Sequence, residues 1–191
     1  MKDGNKNLNS YYKNFHINTY KFILYLFMVT IVMMFTALTS AYIVKQSHGN
    51  WFYFKLPFVL WINSLIILFS SIFIQFSYFF LKKNNFFFFN FFIILTLIFS
   101  LFFLFGQYKV WLDLISKNIY FTGNPSGSFL YVFIGLHAFH LVSGIIFIIF
   151  VWIFSFLNSK KRIFYLKICT TYWHFLGLLW IYLYLFLILN H

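Results

Sequence analysis

His137 and His140 stand three residues apart in the stretch IGLHAFHLVSGI, with Gly144 one further turn along, and a third imidazole, His174, follows in TTYWHFLGLLWIYLYLF. Imidazole is a common ligand for transition metals and haem iron, so metal or haem binding is the first chemistry to weigh. The spacing argues against it. Helical residues three apart point the same way, so His137 and His140 cannot grip one iron from opposite faces, and His174 would have to supply the opposing ligand. At a rise of ~1.5 Å per residue, with both helices centred in a bilayer, His140 and His174 differ in depth by about 10 Å. No carboxylate lies within the apolar stretches to complete a metal shell. A metal or haem site is therefore disfavoured in this chain, and the three imidazoles are expected to face protein or a cavity rather than hydrocarbon.

The elements that carry these residues follow from composition. Of 191 residues, 63% are hydrophobic and 8% are charged, too little charge for a soluble domain of this length to cover itself. The apolar residues gather into five runs, 22–44, 58–81, 86–106, 128–157 and 168–189, none containing Lys, Arg, Asp or Glu. Each exceeds the ~20 residues that a helix needs to cross a hydrocarbon core about 30 Å thick. None alternates apolar with polar residues as a barrel strand does. The expectation is an all-α polytopic membrane protein, a bundle of five transmembrane helices, with a basic tail at 1–21 and a single transmembrane domain at 22–191.

The net charge of +12 is a topology signal. Ten cations fall in the tail, the 82–85 loop and the 158–167 loop, against four (Lys45, Lys55, Lys109, Lys117) on the other side. The excess places the N-terminus in the cytoplasm and the C-terminus outside, with the cations near anionic headgroups; nucleic acid is not an expected partner. The single cysteine, Cys169, excludes a disulfide within the chain or a Cys-x-x-Cys motif. With no acid in any span, no internal repeat and no proline inside a span, an ion transporter is disfavoured too.

Local patterns add packing detail. Thr36 and Ser40, with Ala37 and Ala41 beside them, repeat at four residues in the first span and make a smooth face suited to close helix approach. Trp51, Tyr53 and Trp61 suit an interfacial aromatic belt. Pro57 sits where a helix can begin. In the 107–127 connection, an interfacial stretch around Trp111 is expected before the turn residues GNPSG. Asp113 is read as a surface charge.

Taken together, these motifs resemble subunit III of the haem–copper terminal oxidases. GLHAFHLVSG followed by YWHFLGLLWIYLYLF is similar to that family's two C-terminal helices, through Gly135, His137, His140 and Gly144, then Tyr172, Trp173, His174, Phe175 and Trp180. FTALTSAYIV, KLPF at 55–58 and NSLIILFSS at 63–71 resemble the short, five-helix bacterial form, so the likeness runs from about residue 20 onward. It implies an accessory subunit with no catalytic centre of its own, in a bacterial inner (cytoplasmic) membrane. Haem and copper belong to subunits I and II, and subunit III packs on subunit I, holds structural phospholipid and supports proton uptake and oxygen access. His137, His140 and His174, with Trp173 and Trp180, are then interhelical or lipid and water contacts. The resemblance of ALTSAYIV and NSLIILFSS favours cytochrome c oxidase, with cytochrome c as donor. Alternatives are a quinol oxidase subunit III, a nitric oxide reductase accessory protein and, in another class, a stand-alone haem-binding cytochrome. The family often has an acid where this chain has Gly177, and many members carry a glutamate near Ile31 or Val32, so proton traffic through carboxylates of this chain is not expected.

Overall fold

The computed structural model describes residues 2–47, 51, 57–157 and 162–190, with side chains from residue 19 onward. Lys55, Lys160, Lys161, Tyr53 and the tail lysines Lys2, Lys6 and Lys13 lie outside the residues whose side chains are described. The described residues form five α-helices and no strand: α1 (Lys2–Ser47), α2 (Val59–Lys82), α3 (Phe86–Ser116), α4 (Pro125–Leu157) and α5 (Arg162–Asn190). All five contain stretches long and apolar enough to cross a membrane.

The helices overrun the uncharged runs. α3 does not stop at Gly106 but continues to Ser116, because Gln107, Val110 and Leu114 prolong its buried face. The stretch around Trp111 is thus the last part of a spanning helix. α4 begins at Pro125 and α5 at Arg162, and the backbone of α1 is helical from Lys2. A search for charge-free runs trims such ends, whereas long cationic side chains reach the interface while their backbone stays helical.

Local chemistry sets the turns. Asn84 and Asn118 have φ of 59° and 58°, and each closes a helix in the same way. Asn84 N donates to Leu81 O and Asn85 N to Phe80 O, while Asn118 N donates to Ile115 O and Ile119 N to Leu114 O. This paired 5→2 and 6→1 pattern leaves the helix through a left-handed residue, a conformation asparagine tolerates. At the start of α4, Asn124 Oδ1 accepts from Ser126 N at 3.1 Å, and Pro125 fills the first helical position, where a missing N–H costs nothing. α2 starts just after Pro57 as expected, with Leu60 N bonded to Pro57 O.

α2 and α3 form the most extensively packed pair; α5 packs on α2, α4 and α1, and α4 also packs on α3. α1 touches only α4 and α5. The buried face of α2 is Leu60, Asn63, Ile67, Ser70, Ile74, Ser77 and Leu81, a 3–4 spacing that turns small and polar residues inward while Phe69, Phe76 and Phe79 face outward. Such polarity inversion is what lipid selects: hydrocarbon is as apolar as phenylalanine, so helices associate through packing and interhelical hydrogen bonds. On α1 the packed residues are Ile31, Phe35, Thr39 and Tyr42. Thr36, Ala37, Ser40 and Ala41 are exposed, turned away from the rest of the chain.

Candidate functional site

The residues singled out from the sequence converge on α5. Trp173 and Trp180, two turns apart, are both buried, and both point at α2. Trp173 Nε1 donates to Ser70 Oγ at 3.0 Å, and Trp180 Nε1 donates to Ser64 Oγ at 3.0 Å. Ser64 Oγ itself donates to Leu60 O at 2.9 Å, so the indole meets a free lone pair. Two tryptophans thus fix the register of α5 on α2, each filling space and satisfying its N–H.

The three histidines look into three different contacts. His137 is fully buried, with its ring 4.9 Å from that of Trp180 and 5.7 Å from that of Phe103; it stands where α3, α4 and α5 meet. His140 Nδ1 lies 2.7 Å from Leu136 O in its own helix, and its ring faces Phe35 of α1 at 6.0 Å. His174 Nε2 lies 3.2 Å from Gln75 Oε1 of α2. Of the three imidazole rings, among the described residues only that of His174 makes an interhelical hydrogen bond; the His140 ring bonds inside α4, and neither nitrogen of His137 reaches a partner. The imidazoles therefore do not face a common point, and no group of three or more His, Cys, Asp or Glu side chains gathers among the described residues. Cys169 is buried and free.

Gly144 performs a task that Gly135 does not. A Cβ at Gly144 would lie 3.0 Å from Leu176 Cδ1 and 3.1 Å from the Trp173 ring, whereas one at Gly135 would meet Trp111 at an ordinary 3.6 Å. The α4–α5 approach thus depends on Gly144. We expect Gly144→Leu to destabilise the chain by about 1–3 kcal/mol through overpacking and Gly135→Ala to change stability by less than about 0.5 kcal/mol. Thermal unfolding in mild detergent distinguishes the two.

Further polar contacts escaped the sequence reading. Trp152 Nε1 donates to Asn90 Oδ1 at 3.1 Å, joining α4 to α3. Ser143 Oγ donates to His140 O at 2.6 Å and lies 2.9 Å from Tyr172 OH. Gln46 Nε2 donates to Asn190 O at 2.9 Å, and Thr39 Oγ1 lies 3.2 Å from Tyr182 OH, so α1 is tied to the end of α5. The available signal was periodicity: Asn63, Ser70 and Ser77 recur at seven-residue steps in an apolar run, marking a face that cannot be meant for lipid. At the opposite end, Arg162 Nη2 donates to Asn84 Oδ1 at 3.0 Å, and its guanidinium stacks 4.2 Å from the Phe86 ring centre. Between α1, α4 and α5 runs an apolar groove of about 410 Å³, lined by Tyr20, Leu24, Phe27, Phe147, Tyr165 and Tyr172 among others.

An arrangement of neutral interhelical bonds, with no acid in the apolar runs, suits scaffolding and lipid contact. The chain is 27% identical over 188 residues, 91% of its length and 95% of the relative's, to cytochrome bo(3) ubiquinol oxidase subunit 3 of Buchnera aphidicola subsp. Schizaphis graminum (strain Sg). The chain is similar to a haem–copper oxidase subunit III. No family model matches it. The likeness covers most of the chain and is not confined to one motif. Within this subunit III-like frame, Gly144, Trp173 and Trp180 are the residues that hold α4, α5 and α2 together.

Proposed function

We propose that the chain is the accessory subunit III of a ubiquinol-oxidising haem–copper oxidase in a bacterial cytoplasmic membrane, with haems and copper in the larger subunits. The observation that supports this most is the near full-length similarity to a ubiquinol oxidase subunit 3. It favours quinol over the cytochrome c donor that the resemblance of ALTSAYIV and NSLIILFSS had favoured. The chain's own part is structural: it packs on subunit I, retains phospholipid and stabilises the catalytic subunit during proton uptake and oxygen entry.

Three features support that role. The exposed strip of Thr36, Ala37, Ser40 and Ala41 offers a smooth surface to a partner helix, and we assign it to subunit I. The groove between α1, α4 and α5 has the apolar lining an acyl chain requires, and Lys21 and Lys167, next in sequence to its lining residues Tyr20 and Ile168, suit a phosphate headgroup. The cation excess on the side of the N-terminus, the α2–α3 turn and the α4–α5 loop supports a cytoplasmic position for that side.

The donor assignment is tested on the purified complex by oxygen uptake. Ubiquinol is expected to sustain turnover and reduced cytochrome c to give background only; the reverse preference would return the assignment to cytochrome c oxidase.

A further inference from the structure

Where α3 packs on α2 and on α4, on the side of the bundle where α5 ends, stand buried polar groups without a hydrogen-bond partner among the described residues. Asn63, Gln107 and His137 are 1%, 2% and 0% exposed, and among the described residues neither carboxamide and neither imidazole nitrogen has a hydrogen-bond partner. The indole Nε1 of Trp111 is buried and unpartnered as well. Buried polar groups are almost always hydrogen-bonded, and in a bilayer no outside solvent can reach them. Helix α3 relates these groups to one another. Gln107 sits on one face of α3 between Phe103 and Trp111, a turn from each. The Phe103 ring is 5.7 Å from that of His137, and Trp111 lies against Gly135. Gln107 is thereby held opposite the α4 turn that carries Gly135 and His137. The Asn63 carboxamide lies against Gly106, the chain neighbour of Gln107.

We propose that Asn63, Gln107 and His137 form an internal water site, in which one or more water molecules link α2, α3 and α4. The chemistry selects water over an ion. All three side chains can be neutral, and each offers a donor and an acceptor, as water does, while no charged side chain of fixed sign joins them. The next charges along α3 face away: Lys109 is exposed, and Asp113 is paired with Lys117 at 2.7 Å. A bound water needs two to four polar partners, and these residues supply them from three helices. The site is independent of the oxidase assignment, since it rests on the interior of this chain alone.

X-ray hydroxyl-radical footprinting of the full chain in its native assembly tests the proposal, because radicals formed from bound water modify the side chains beside it. His137, Phe103 and Trp180 are expected to be modified about fivefold or more faster than Trp173, an equally buried side chain whose N–H is already bonded to Ser70. In the double variant Asn63→Leu with Gln107→Leu, His137 modification should fall to the level of Trp173. Equal, slow modification of all four residues in the wild-type protein would overturn the proposal. So would undiminished His137 modification in the double variant. Should the variant fail to accumulate, the wild-type comparison decides alone.

Discussion

Trp180→Ala is expected to destabilise the chain by about 3–5 kcal/mol, the range for removing a large buried aromatic. Trp180 is 2% exposed and lies between the rings of Phe103, at 5.0 Å, and His137, at 4.9 Å. The truncation would therefore open a cavity among α3, α4 and α5 and remove the bond to Ser64. Trp180→Phe separates these losses: most of the packing stays, and the missing N–H costs about 1 kcal/mol. Trp173→Ala should fall in the same range, with an added loosening at Gly144, whose contact with α5 is made against that ring. Trp61, 49% exposed, is the control, and its replacement by alanine should change stability by less than about 1 kcal/mol. Unfolding by titration of a harsh detergent into mild micelles, followed by circular dichroism, gives the ranking. Equal effects at Trp180 and Trp61 would refute the packing described.

Gly106→Ala is the second large effect. The new Cβ would overlap the Asn63 carboxamide, whose Cγ would be 2.7 Å away, in the most extensively packed helix pair of the fold. Asn63 is buried, so its carboxamide must be displaced, or α2 and α3 must part locally, to admit the new methyl group. A loss of about 1–3 kcal/mol is expected. The attribution can be tested by a double-mutant cycle: Asn63→Ala removes the obstructing atoms, so the Gly106→Ala penalty should shrink by more than half in that background, a coupling within the usual range for touching residues. An unchanged penalty would place the strain elsewhere.

Much of this architecture was legible in the sequence because a bilayer imposes few solutions. Charge-free runs of sufficient length had to be helices, and the five runs correspond to α1 through α5. Their ends were less legible. The apolar run read for α3 ends at Gly106, just before polar Gln107 and Lys109. In the fold that glycine is there for Asn63, and Gln107 is interior. The small-residue face of α1 shows a different limit. Thr36, Ala37, Ser40 and Ala41 state what kind of surface is present but not which neighbour meets it, and within this chain the larger Ile31, Phe35 and Tyr42 make the contacts instead. The histidines were read as one class, yet their contacts are set by the register of α4 and α5 against three other helices, a long-range property absent from local spacing. Ser64 and Ser70 became meaningful only once α5 was laid on α2 and brought the two indoles to them.

The central claim is that this chain works as a non-redox partner of haem-bearing subunits. It is tested most directly by tagging the C-terminus, solubilising gently, and recording the visible spectrum of the eluate beside that of the chain produced alone. The account predicts that larger subunits bearing haem co-elute and consume oxygen, and that the isolated chain is colourless. An isolated chain with a Soret band that disappears in His140→Ala or His174→Ala would contradict it, as would a chain that elutes from native membranes alone and without haem.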